Sequence, residues 1–251
     1  MSTNVGTVLI TGASIGLGYK IAQAFLEKGS NVVLNSSNEK KLREAAEKLN
    51  NASKVAFVTG DIGRKETSQK MVTLAIKRFG SVNVLVNNAG MFSPKPFLEV
   101  DEDELDKFLN INLKGTYFAS QAVIAQMLKQ GQGGAIINIG TVLVDHAIGG
   151  FPVTAAMTSK GAIHTLTKQL AAEFGKNNIR VNTIAPGIIR TSIHTRNGIE
   201  DVDSLAGLHL LNRVGEPEDI ANAALYLGTA NFVTGQILGV DGGHGAGHHL
   251  S

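Results

Sequence analysis

The chain contains no cysteine. Disulfides, thiolate nucleophiles and cysteine-held metals are thereby excluded, and a reducing, cytoplasmic location fits. Tryptophan is also absent, and tyrosine occurs only at Tyr19, Tyr117 and Tyr226. Any chemistry that needs a phenol has three candidates. No apolar run approaches the ~20 residues of a membrane span. A strand pattern already under way at Val8 leaves no room for a signal peptide, so we expect no membrane association. A strong excess of either charge is missing too: 23 Lys and Arg stand against 21 Asp and Glu, a formal net charge of +2. That is too little to suggest a nucleic-acid partner. The densest basic cluster, Lys40, Lys41 and Arg43, is interleaved with glutamates and reads as a solvated helix face.

What the chain does have is alternation. Short apolar runs at 8–10, 32–34, 55–58, 84–86, 135–139, 181–184 and 236–240 read as buried parallel strands. Helical patterns lie between them, at 17–28, 39–49, 66–79, 101–129, 154–174 and 216–227. Seven strands alternating with helices predict one α/β domain over residues 1–251, a doubly wound, Rossmann-type parallel sheet with helices on both faces. The segment 190–212 is long and weakly patterned, as an active-site lid would be. Its Ile193, Ile199, Leu205, Leu208, Leu210 and Leu211 suggest a partly apolar ligand.

The first strand runs into Thr11-Gly12-Ala13-Ser14-Ile15-Gly16-Leu17-Gly18. Glycines at this place let the backbone approach a pyrophosphate, and the helix that follows offers free N–H groups to its charge. The position between first strand and first helix favours nucleotide binding over a plain turn.

These residues resemble the cofactor loop of the short-chain dehydrogenase/reductase family, and the likeness extends along the chain. Asn87-Asn88-Ala89-Gly90 follows the fourth strand as in that family. Asp61, beside Ile62, matches its adenine-contacting aspartate. Asn112 matches its catalytic asparagine, and Pro186-Gly187, with Ile189 and Thr191, the segment beside the nicotinamide. The resemblance implies hydride transfer between NAD or NADP and a small-molecule carbonyl or alcohol. It also implies a homotetramer built on the long central helices and C-terminal strands. The Ala, Ile and Leu content of the helices 101–129 and 154–174 exceeds one apolar stripe, which fits two burial surfaces.

Cofactor choice turns on Leu34-Asn35-Ser36-Ser37-Asn38. An NAD enzyme usually carries a carboxylate here for the ribose 2′-hydroxyl; none precedes Glu39. Ser36, Ser37 and the helix start could hold a 2′-phosphate, with Lys40 or Lys41 in reach. We expect a weak preference for NADP.

In the resembled family a Y-x-x-x-K pair moves the proton and grips the ribose. Lys160 is present here, but the tyrosine position is Ala156, and a methyl group neither donates nor accepts a proton. Thr141 stands near the position of the family's carbonyl-polarising serine; it either takes that role or caps the strand end. His146, just beyond the fifth strand, is the candidate substitute acid. His164 reads as a packed helix histidine and His194 as a substrate contact in the lid. The histidines of His244-Gly245-Ala246-Gly247-His248-His249 read as a flexible tail, with no metal site expected. The function expected is an NAD(P)(H)-dependent oxidoreductase with Asn112, Thr141, His146 and Lys160 at the reaction centre. The alternative is a catalytically silent nucleotide-binding sensor, regulator or inactive partner subunit.

Overall fold

In the computed structural model, which describes residues 4–247 and 249, the strands are β1 (Thr7–Ile10), β2 (Asn31–Ser36), β3 (Val55–Thr59), β4 (Val84–Asn87), β5 (Gly134–Ile139), β6 (Ile179–Pro186) and β7 (Ile237–Val240). They form one sheet in the order β3-β2-β1-β4-β5-β6-β7, with every pairing parallel. The order reverses between β1 and β4. At such a switch point the following loops leave in opposite directions and open a crevice at the carboxyl ends of the strands.

The central strands are buried along their length except at the first residues of β2 and β5, as their apolar runs require. On one face Val8, Ile10, Val32, Leu34, Val84 and Val86 pack against α1 (Gly16–Glu27), α2 (Glu39–Lys48) and α8 (Pro217–Thr229). On the other, Leu9, Val33, Leu85, Ile136 and Val181 meet α3 (Lys65–Phe79), α5 (Gly115–Gln130) and α6 (Thr154–Phe174). Asn38 caps α2 by accepting from Lys41 N, and Pro217 opens α8, where its missing N–H costs nothing. A buried polar chain ties the second face together. Asn87 Nδ2 donates to Ser120 Oγ and Asn138 Oδ1, Asn138 Nδ2 donates to Thr167 Oγ1, and Thr167 and Thr183 share a 2.7 Å hydroxyl bond. No described helix is long and apolar enough to cross a membrane.

The helix expected over 101–129 is interrupted. It divides into α4 (Glu102–Phe108), a wider π-helical turn (Leu109–Lys114) and α5. Asn112 sits in that turn with no exposed surface, and its amide is held by backbone outside the helix. Apolar periodicity carries no sign of such a turn, because the side-chain bond that accompanies it reaches a residue 21 positions away. The segment 190–212, expected to act as a lid, contains regular structure. It holds a short helix, α7 (Ser192–Arg196), and a 3-10 turn (Val202–Leu208). Arg190 staples the segment by a two-pronged contact with Asp203 and a 2.9 Å bond to Glu216.

Candidate active site

The crevice at the switch point is a cleft of about 660 Å³. Its nucleotide end is built on Thr11. The Thr11 hydroxyl accepts from the backbone N–H groups of Asn88 and Ala89, and Asn88 Nδ2 donates back to the carbonyls of Thr11 and Gly12. The loops are in such close contact that only glycine fits. A Cβ on Gly12 would stand 2.8 Å from Ala89 Cα, and one on Gly18 would stand 2.4 Å from Asn88 Nδ2. Gly12 and Gly16 also have left-handed φ values of 63° and 58°. Helix α1 then begins at Ile15 with no side-chain cap and no acidic residue in its first turn. Its N–H groups are left for an external anion.

Most of the expected cofactor residues meet here. Gly12, Ser14, Ile15, Gly16, Ser36, Ser37, Asp61, Ile62, Asn88, Ala89, Gly90, Pro186, Gly187, Ile189 and Thr191 all line the cleft. Gly18 does not; it lies buried behind the turn, where its missing side chain lets α1 dock. Thr191 faces the turn from the lid side, with Cγ2 3.8 Å from where a Gly16 Cβ would be. The Ser36 oxygen already accepts from Ser14 Oγ and Asn38 N, so it shapes the loop, while Ser37 is exposed on the cleft. Asp61 accepts from Gly63 N. An adenine dinucleotide fits this cradle.

The reaction end differs from expectation at several residues. Lys160 lines the cleft and donates to Ile139 O at 2.6 Å, and loss of solvent around its ammonium lowers its pKa to about 8. Thr141 lines it too, while its hydroxyl accepts from Leu143 N at 3.3 Å as the cap of a 3-10 turn. Asn112 is not on the cleft wall. Its side chain takes both backbone groups of Met91 and donates to Ser159 Oγ, and its carbonyl accepts from Thr116 Oγ1. It positions the Met91 loop, and its amide nitrogen is committed to Met91 O and Ser159 Oγ. His146 is likewise not among the residues lining the cleft. The 3-10 turn after Thr141 carries it sideways, and its ring carbon Cδ2 lies 3.2 Å from where a Cβ on Gly245 would be. His146 thus lies beside the turn that carries His244.

Ala156 is 1% exposed and sealed by Phe108, Met91, Phe92, Val100 and Met157. No phenol replaces it nearby: Tyr19, Tyr117 and Tyr226 do not line the cleft, and the last two are exposed. His164 is buried as expected. Its Nδ1 lies 3.6 Å from Asp145, and burial lowers its pKa, partly offset by that carboxylate. His194 lines the cleft with Nε2 2.9 Å from Ile189 O. The flexible-tail expectation is corrected at His244. This side chain is 1% exposed, lies on the cleft, and has its ring centroid 5.7 Å from that of His209. Turns at Asp241–Gly243 fold it inward: Asp241 accepts from Gly243 N and Gly245 N. Glycines alone suggest slack here; the Asp241 carboxylate supplies the order. His248 falls outside the described residues. Among the described residues no group of three or more His, Cys, Asp or Glu side chains could hold a metal ion.

A glycine turn at a switch point, an uncapped helix behind it and a desolvated lysine beyond it define a dinucleotide-binding protein of Rossmann type. A family model described as enoyl-(acyl carrier protein) reductase matches residues 12–245. The chain is 37% identical to an L-rhamnose-1-dehydrogenase of Scheffersomyces stipitis over 96% of each chain. It is also 37% identical to a 3alpha-hydroxysteroid dehydrogenase of Mediterraneibacter gnavus, with 93% of this chain and 94% of that one covered. The crystal structure of a short-chain type dehydrogenase/reductase from Mycobacterium marinum superposes with a TM-score of 0.90 at 29% identity, covering 98% of both chains. The chain belongs to the short-chain dehydrogenase/reductase family and is an NAD(P)-dependent oxidoreductase. The alternative of a silent binding protein is not favoured.

The glycine geometry gives a direct check. Gly18→Ala places a methyl against Asn88 and the Gly12 carbonyl, and must push α1 from the turn. Calorimetric titration should show cofactor affinity reduced at least tenfold, about 1.4 kcal/mol. Unchanged affinity would mean that the turn does not form the binding surface.

Proposed function

We propose that this enzyme interconverts a small-molecule carbonyl and the corresponding alcohol, with Lys160 supplying the proton that a tyrosine ordinarily would. The observation that carries the reading is the pairing at the base of the cleft: a desolvated Lys160 lines it, and the neighbouring Ala156 offers only a buried methyl. A dehydrogenase of a sugar and one of a hydroxysteroid stand among its relatives, and both names describe alcohol oxidation. The nicotinamide, when bound, supplies or takes the hydride. The chain does the rest. Thr11, Gly12 and the Asn88 loop form the pyrophosphate cradle, and the α1 N-terminus offers N–H donors to its charge. The stretch from Pro186 to Thr191 flanks the nicotinamide end. As a carbonyl becomes an alkoxide, the Lys160 ammonium gives up one proton to that oxygen and is left neutral; solvent returns the proton. Ile139 O holds the ammonium in place. Thr141 stands on the same wall as a hydroxyl donor to the carbonyl oxygen.

The sign of the pH dependence follows. Reduction needs the charged ammonium, so its rate should be level below about pH 8 and fall above it. Oxidation needs the neutral amine and should rise through the same point. Lys160→Arg keeps a ribose-gripping cation that does not release its proton. It should retain most cofactor affinity, lose about 10²-fold in turnover and lose the step near pH 8. An Arg variant with near-normal turnover, or a profile flat through pH 8, would remove Lys160 from this role.

For the cofactor we propose a weak preference for NADP. No carboxylate ends β2, the exposed Ser37 lines the cleft, and α2 begins just beyond it with Lys40 and Lys41 in its first turn. NADPH should bind at least as tightly as NADH in paired calorimetric titrations. Tenfold tighter NADH, about 1.4 kcal/mol, would reverse the assignment.

For assembly we propose a homotetramer in the cytoplasm. Tyr117 and Leu128 of α5 are exposed, and Leu113, Tyr117, Phe118, Ala162 and Leu166 line an open groove between α5 and α6. Tyr226 of α8 and Phe232, between α8 and β7, are exposed as well. Exposed apolar residues in two places suit two dyads. Light scattering at micromolar concentration should return four times the 26.4 kDa chain mass; a monomer would end the proposal.

A further inference from the structure

Past Lys160 three stretches of the cleft lining are hydrocarbon. Met91, Phe92 and Pro94 come from the loop after β4. Ile148, Phe151 and Met157 come from the loop before α6 and its first turn, and Ile193, Ile199 and Leu205 from the lid. Phe92 and Phe151 approach to 5.9 Å between ring centroids and join two of these stretches. Behind Met91, Phe92 and Met157 lies the sealed Ala156 cluster, so the wall where a tyrosine hydroxyl would stand adds no polar point.

The polar side chains at this end are Thr141, Ser192, His194, Asn197 and His244. Thr141 accepts from Leu143 N and keeps its O–H for the reacting oxygen, His194 Nε2 meets Ile189 O at 2.9 Å, and Asn197 Nδ2 lies 3.4 Å from Phe92 O. Ser192 and His244 also make contacts. The hydrocarbon stretches offer a polyol no partner, and each hydroxyl buried unpaired against them weakens binding by about tenfold to a hundredfold. A hydrocarbon body gains about threefold for each methylene that leaves water.

We infer that the substrate's reacting carbon is a ketone or secondary alcohol carried on an apolar body, with no neighbouring hydroxyls, which lies between the Phe92–Phe151 pair and the lid. The inference rests on the reading of the cleft as a carbonyl/alcohol site. It concerns binding, so it can be tested without turnover. The full chain is saturated with oxidised cofactor, which has no hydride to give a ketone. The ternary affinities of 2-butanone, 2-hexanone, 2-octanone and a free hexose are then measured by calorimetry. Affinity should climb about threefold per methylene through the ketones, and the hexose should bind at least a hundredfold more weakly than 2-octanone. Ile199→Asn, on the lid away from the central strands, should weaken 2-octanone about tenfold and 2-butanone much less. A flat ketone series, or a hexose that binds as well as 2-octanone, overturns the inference. Failure of the cofactor to bind in the first step would instead strike the oxidoreductase reading, which keeps the two outcomes apart.

Discussion

Thr11 and Asn88 hold the two halves of the sheet together where they part. β1 and β4 are neighbours, but their following loops must diverge, and a crevice formed that way has no ladder hydrogen bonds to keep its width. Four bonds between Thr11–Gly12 and Asn88–Ala89 replace them. The close approach they enforce explains both the glycine at position 12 and the left-handed turn that follows. From this one contact come the direction of α1, the exposure of its first N–H groups and the placement of Gly90 near Lys160, whose Nζ lies 3.2 Å from where a Gly90 Cβ would be. The loop carrying Met91 and Phe92 begins two residues later and inherits its position from the same bonds.

Loss of the tyrosine is a packing event as well as a chemical one. Phe108, Met91, Phe92 and Met157 pack in the cluster that buries Ala156. A neutral hydroxyl beside Lys160 would have offered its ammonium an acceptor. Here the charge leans on one backbone carbonyl, and burial outweighs that bond. The desolvation that makes the lysine costly to keep charged is also what brings its proton near neutrality.

Much of this was legible in the chain. Seven strands, their parallel arrangement and the glycine turn follow from apolar runs and residue spacing, because buried parallel strands and phosphate-facing turns impose strong local constraints. Lys160 and most residues that line the cleft could be named from the family resemblance. Side-chain direction in loops was less accessible. His146 and Thr141 are five residues apart after β5, and only the intervening 3-10 turn decides that one faces the cleft and the other does not. Asn112 has the family's residue type, but its amide is tied to Met91, a partner distant in sequence. His244 was concealed by glycines that read as slack; Asp241 gathers their N–H groups into a folded turn. In each case the deciding bond joins segments or backbone groups that no periodicity records.

The wide turn at Leu109–Lys114 has a consequence for how this chain can change over time. An α-helix with one surplus residue in a turn is a stored insertion, and a single-residue deletion could remove it. The helix would then close up with α5 still presenting Ala119, Val123 and Met127 to the sheet and Ser120 to Asn87, because the wide turn already absorbs the extra residue. A deletion within α5 itself would instead rotate every residue beyond it by about 100° around the axis. What the turn alone supplies is the seat of Asn112, whose amide reaches out of the helix to Met91. The chain can therefore lose a residue in this turn that it could not lose one turn later.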